Sequence, residues 1–234
     1  MTLAAHEFDP RACDSGPKPN VNPAYIGLRK DLLALIAQSP RSVLDLGCAQ
    51  GANGGWLKER YGCDVCGVEV DSAMATAAER ILGEVRVGDL NRTRLTELFG
   101  ARRFDLILMG DVLEHLIDPW TTLQDARSLL TTSGNILTSI PNVNHYTTLL
   151  SLMVLRRWPY RDRGVHDRTH LRFFTRQNMV EMYGAAGLAI DRESRNLRLV
   201  DAPVGWNSIA NVFDFHPFRA YFTYQYLHRL RPAG

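Results

Sequence analysis

Four acids recur at one kind of place in the first half of the chain. Asp45, Glu69, Asp89 and Asp111 each stand within or just beyond a short apolar run, with glycine close by. Asp45 precedes a turn through Gly47 and Gly51, Glu69 closes Gly67-Val-Glu, Asp89 follows Gly88, and Asp111 follows Gly110. Glycines at such turns let the backbone bend tightly and let a ligand come close to it. A carboxylate at a strand end accepts two hydroxyl hydrogen bonds, which suits Glu69 to a ribose diol. Asp89 is suited to an exocyclic amine such as that of adenine. The pattern describes a nucleotide-like ligand lying across the carboxyl ends of strands.

Those acids need strands and helices to hold them. Val43 to Leu46 is an apolar run broken only by Asp45, as a buried parallel strand would be. Further strands are predicted over Asp64–Glu69, Glu84–Val87, Phe104–Met109 and Asn135–Ile140, the last stopped by Pro141. Helices fit Pro23–Gln38, Ala52–Arg60 and Ser72–Leu82, with Ser72 as cap, and a helical turn or two fits Thr93–Phe99. Another should start at Asp118-Pro119, run to about Leu130 and be closed by Gly134. Alternation of this kind predicts a doubly wound α/β sheet.

Composition narrows the field. The chain has 234 residues, 45% apolar, and a formal net charge of +2. One sizeable core is affordable at that length, and no global charge draws it to nucleic acid. Lysine stands only at 18, 30 and 58, which excludes any mechanism needing a later lysine. The Tyr-x-x-x-Lys chemistry of short-chain reductases is therefore absent, and Ala49 and Ala52 stand where a nicotinamide fingerprint wants glycine. Cys63-x-x-Cys66 has metal-like or redox-like spacing without a second ligand pair, so no metal is expected and the thiols read as reduced. No signal peptide or run of ~18 apolar residues is present, so a cytoplasmic protein without stable membrane insertion is expected. Residues 1–22 read as a loose leader.

The ordered motifs Asp45-Leu-Gly47-Cys-Ala-Gln-Gly51, Gly67-Val-Glu69, Gly88-Asp89 and Asp111-Val-Leu-Glu114-His115 resemble class I S-adenosylmethionine-dependent methyltransferases. Ser139-Ile-Pro-Asn142 and Asp167-Arg-Thr-His170-Leu-Arg-Phe-Phe-Thr175 resemble a bacterial branch near the quinone O-methyltransferases. The resemblance implies a seven-stranded, mostly parallel Rossmann-like sheet ending in an antiparallel strand, over a domain spanning 23–200. It implies that Asp45, Gly47, Cys48 and Gly51 border the methionine part of S-adenosylmethionine. Glu69 would hold the ribose, Asp89 with the Leu90 amide would read the adenine, and Asp111 would face the methyl-transfer chamber. Ala49 departs from the family, which usually has a middle glycine there.

Toward the end of the chain a helix should finish at Gly184–Gly187. The sixth strand is expected over Leu188–Ser194 and the seventh over Phe222–His228, within an aromatic-rich segment 201–234. Residues 145–176 form an insert after the fifth strand, where ligands bind, with a helix over His145–Leu155 and seven following arginines. They read as a helical lid that takes an anionic acceptor or rests on a lipid surface.

A hydroxyl acceptor needs a base, and His145 and His170 are the candidates. His115 and His166 read rather as structural. No Asn-Pro-Pro-Tyr or Asp-Pro-Pro-Tyr element follows the fourth strand, which favours oxygen over an amide or adenine nitrogen. The first expectation for the acceptor is a sugar or surface-glycan intermediate, the second a quinone-like or lipid-linked molecule. A non-catalytic S-adenosylmethionine-binding scaffold is the rival of another class.

Overall fold

Val43, Leu44 and Leu46 are all buried, so β1 (Ser42–Leu46) carries apolar side chains on both faces, as a central parallel strand must. The computed structural model describes residues 27–200, 205–216 and 218–234. The expected leader and Pro23 lie outside them. β1 pairs in parallel with β2 (Asp64–Glu69) on one side and β4 (Phe104–Gly110) on the other. β2 carries β3 (Glu84–Val87), and β4 carries β5 (Leu130–Pro141). β7 (Thr223–Pro232) runs antiparallel between β5 and β6 (Leu188–Leu197). The seven-stranded order is β3-β2-β1-β4-β5-β7-β6. Strand order reverses between β1 and β4, and a crevice opens at the carboxyl ends of strands at such a point.

Apolar clusters cover both faces. On one, α1 (Lys30–Leu33), α2 (Ala52–Tyr61) and α3 (Ser72–Leu82) supply Leu33, Leu57 and Leu82. On the other, α4 (Leu95–Phe99), α5 (Pro119–Ser128) and α7 (Arg176–Ala185) supply Leu95, Leu123 and Tyr183. α6 (Tyr146–Met153) rises from the insert after β5, and α8 (Arg219–Phe222) leads into β7.

The helix starts follow their caps. Asp118 accepts the Thr121 amide at 3.1 Å, with Pro119 in the first turn, as the sequence suggested. α3 is capped by Asp71 and not by Ser72: the Asp71 carboxylate accepts from Ala73 and Met74 at 2.8 and 2.9 Å, a contact of ~1 kcal/mol.

Other boundaries differ as well. Of the helix expected to Gln38, the described part is only Lys30–Leu33; the chain then tightens into i→i+3 bonds at Leu35 and Ile36 ahead of Pro40. β5 starts at Leu130 and contains Gly134, because a register shift near Phe104 absorbs the extra residues. A Cβ at Gly134 would lie 2.9 Å from the Phe104 carbonyl, so glycine serves close strand approach and not helix closure. The seventh strand starts at Thr223, since Phe222 ends α8.

Candidate active site

The turn after β1 is built from left-handed residues: Gly47 at φ +66°, Ala49 at +47° and Gly51 at +84°. Gly47 and Cys48 donate to the Val68 carbonyl at 2.8 and 3.2 Å, which ties the turn to β2. Glu69 completes the tie. Its Oε2 accepts the Ala49 amide at 2.8 Å, and its Oε1 accepts Val70 and Asp71 at 2.9 and 3.0 Å. A carboxylate is thus fixed at the mouth of the turn by three backbone donors.

A cavity of about 320 Å³ opens there, within the size range of small-molecule sites. Gly47, Cys48, Glu69, Asp89, Leu90 and Asp111 line it, all expected from the sequence. Asp45 and Gly51 do not. Asp45 is 2% exposed behind the turn, where the Gly54 amide donates to it and Oδ2 has no partner. Burial, and then the Glu69 charge, push its carboxyl up to about 7. Gly51 faces α3: an added Cβ would meet Ala78 and Leu82 at 3.3 Å, so it serves helix packing. Burial, then Asp45 and Glu69, push the Cys48 thiol far up, so it is a wall of the cavity and not a nucleophile.

At the other end, Asp111 holds a left-handed backbone (φ +57°) just past β4. Its carboxylate takes Arg29, the Ser139 hydroxyl at 3.0 Å and Gln225. Arg29 also pairs with Asp31 at 3.0 Å and donates its amide to Asn53 at 2.9 Å. Burial opposes its charge, but Asp111 and Asp31 outweigh that and hold the guanidinium protonated. A strap from the N-terminal side thereby lies across the cavity wall, which Gly27 and Arg29 help to form.

Residues 113–115 make a 3₁₀ turn that sets His115 in the cavity wall. Segment 167–172 of the insert is fastened on top: Leu171 and Arg172 amides donate to the Glu114 carbonyl at 2.9 and 3.0 Å. His170 does not line the cavity; its ring packs edge-on to His115 at 4.8 Å. Burial, and then His115, push His170 down to about 4, which keeps it neutral. His145 is corrected more sharply. It is fully buried away from the cavity, caps α6, and bonds Thr147 Oγ1 and the Arg198 carbonyl, each at 2.8 Å. Both ring nitrogens are engaged, so it is a packing residue.

Arg29, Asn53 and His115 were under-read in the sequence. The signal for His115 was its place four residues beyond Asp111, one turn on. Glu114, His115 and His170 bring donor atoms within 4.8 Å of one another, the one such gathering among the described residues. Glu114 is sealed from solvent with neither carboxylate oxygen partnered, and burial, then Asp111, push its carboxyl well up.

A switch-point cavity with an acid closing β2 and another beyond β3 defines a nucleotide-ligand α/β enzyme site. Residues 21–193 match the family model described as Methyltransferase domain, and the chain belongs to that family. It is an S-adenosylmethionine-dependent methyltransferase. A ubiquinone biosynthesis O-methyltransferase of Cereibacter sphaeroides is 31% identical over 190 residues, 76% of this chain and 71% of the relative. One from Nitrosomonas europaea is 25% identical over 193 residues, 80% and 78% of the two chains. Among solved structures, a TehB-like methyltransferase of Corynebacterium glutamicum superposes with TM-score 0.56 at 17% identity, covering 86% of this chain and 85% of the other. That distant structure shares the fold.

Proposed function

We propose that the protein methylates a hydroxyl oxygen of a small quinone-like acceptor held on a lipid tail, with His115 as the base. The observation that carries this is the His115 ring in the cavity wall, four residues past Asp111, with its Nδ1 engaged by Thr169 at 3.2 and 3.3 Å. Nε2 is left to accept a proton.

The cavity's own donor set fits S-adenosylmethionine. Glu69 would hold the ribose, and Asp89 with the Leu90 amide would read the adenine. Gly47, Cys48 and Ala49 would follow the methionine end, with Arg29 and Asp111 closing over it. When bound, the cofactor supplies a methyl group already activated on sulfur. The protein then orients the acceptor and removes its proton.

Two observations favour a lipid-linked quinol over a sugar. The relatives named above act in ubiquinone biosynthesis by O-methylation. The insert 145–176, read as a lid, also exposes Met153 at 78%, Val154 at 65% and Leu155 at 54%, followed by Arg156 and Arg157. An apolar ridge rimmed by arginine suits an anionic bilayer surface. No helix among the described residues is long and apolar enough to cross a membrane.

The test uses radiolabelled S-adenosylmethionine with two acceptors, a prenylated catechol in anionic vesicles and a nucleotide-linked hexose in solution. Methyl transfer to the catechol, lost in His115→Ala, is expected. Transfer to the hexose alone would overturn the acceptor assignment. Cofactor binding without any transfer to either would favour the scaffold reading.

A further inference from the structure

His115 reaches a buried carboxylate through one hydroxyl. Thr169 Oγ1 donates to Asp167 Oδ1 at 2.6 Å, and the Thr169 amide donates to the same oxygen at 2.8 Å. The hydroxyl's single proton is thus directed at Asp167. Oγ1 therefore meets His115 Nδ1, 3.2 Å away, as an acceptor. The Thr169 carbonyl, which can only accept, lies 3.3 Å from the same nitrogen. Both contacts require the proton on Nδ1 and the lone pair on Nε2. Asp167 is 2% exposed, so solvent screens its field little. The segment cannot drift from the base, because the Leu171 and Arg172 amides grip the Glu114 carbonyl and Arg172 Nε holds the Ile117 carbonyl at 3.0 Å.

Other charged or titratable groups stand around His115, and Asp167 itself has further interactions. On its own segment, Asp111 is paired with Arg29 of the N-terminal strap, and Glu114 is driven toward its neutral acid by burial and Asp111. On the insert, His170 stays neutral. From the loop after β3, Asn91 Nδ2 donates to the His115 carbonyl at 3.4 Å and carries no charge. Asp167 is the anion that reaches the ring through a hydrogen-bonded chain.

We propose that Thr169 and Asp167 are positioning residues for His115: Thr169 fixes its tautomer, and Asp167, acting through the Thr169 hydroxyl, steadies the imidazolium that forms on proton transfer. This rests on His115 being the base. In the step, the acceptor O–H bond breaks and its proton goes to His115 Nε2. An oxygen lone pair forms the bond to the methyl carbon, and the carbon–sulfur pair leaves with sulfur as a neutral thioether. The ring carries the positive charge that the sulfonium gave up, and it does so beside Asp167. The insert therefore supplies part of the proton-transfer machinery as well as cover.

The test is nitrogen NMR of the histidine rings in the full chain, without acceptor, for wild type, Thr169→Val and Thr169→Ser. Thr169 is exposed, so valine leaves the core intact and keeps the amide bond to Asp167. Wild type should show His115 with Nδ1 protonated. Thr169→Val should admit the other tautomer, through loss of the hydroxyl link. Thr169→Ser should restore the wild-type tautomer. With the prenylated catechol, Thr169→Val should lower kcat about tenfold or more and leave KM for S-adenosylmethionine unchanged. An unchanged tautomer in Thr169→Val would overturn the relay. Full methyl transfer by His115→Ala would overturn the base assignment, and the catalytic meaning of the relay with it, whatever the spectra show.

Discussion

Glu69→Gln exchanges one carboxylate oxygen for an NH₂ of the same size, and the geometry fixes what that does. Oε1 takes two amides, from Val70 and Asp71, and Oε2 takes one, from Ala49 at 2.8 Å. A glutamine that keeps the first pair must aim its NH₂ at the Ala49 N–H, donor against donor. The reverse orientation sets it against two donors and is worse. One charge-assisted bond is lost at a buried place, worth ~1.5–3 kcal/mol. Ala49 is also the left-handed non-glycine residue of the turn, so its release loosens the cavity wall directly. Calorimetric titration with S-adenosylmethionine should show Kd weakened about ten- to thirtyfold, ~1.4–2 kcal/mol. Thermal melting of the free protein should fall by several degrees, at about 2–4 °C per kcal/mol for a domain of this size. A lowered Tm with Kd within about twofold of wild type would show that Glu69 only holds the turn. No change in either would refute the hydrogen-bond reasoning itself.

Ala49→Gly removes a Cβ from a positive-φ position (+47°) and should raise stability by ~0.5–1 kcal/mol in urea melts; a loss would mean that the turn needs the methyl contact. Asp45 titrates at about 7 in the fold and in the ordinary carboxylate range when unfolded. Between those values the fold holds a proton that the unfolded chain has released, so Asp45 makes stability fall as pH rises through that window and adds no slope above it. Asp45→Asn should flatten this slope between about pH 4 and pH 7, and a mutant as steep as wild type would assign it to other groups. Methyl transfer should survive a divalent-cation chelator; loss in EDTA with recovery on adding magnesium would show that acids near Asp111 do hold a cation. Replacing Arg156 and Arg157 together by alanine should reduce binding to anionic vesicles while cofactor Kd stays within about threefold, under ~1 kcal/mol. A loss of cofactor affinity instead would separate the insert from the acceptor side.

The half of the site nearest β1 and β2 was legible because it is local. Buried parallel strands read as apolar runs, and the acid or glycine that ends each one is adjacent in sequence. What sequence could not show was direction. Asp45 and Glu69 both sit at strand ends, yet only Glu69 turns to the cavity, because Gly54 captures Asp45 from behind. Gly51 reads as a ligand turn but meets α3. The proposed acceptor end was hidden for a different reason. His115 and Thr169 lie 54 positions apart, and no periodicity links them. His145 looked like a base because its place after β5 is right, but its ring caps α6 and is locked by Arg198 from a later strand's end.

β7 comes after every other described strand in the chain, yet it stands between β5 and β6. During synthesis, then, β6 emerges with no sheet edge of its own to join, and β5 presents an open apolar edge until β7 arrives. The same strand brings Gln225 to Asp111 and the Thr223 carbonyl to Asn142 at 2.8 Å, at the root of the insert. On the proposed reading, closing the sheet and completing the acceptor side are thus one event. A nascent or clipped chain stopping before Thr223 would retain the cofactor turn but have neither a closed sheet nor a finished reaction chamber, which makes methyl transfer a report on whether the whole sheet has been assembled.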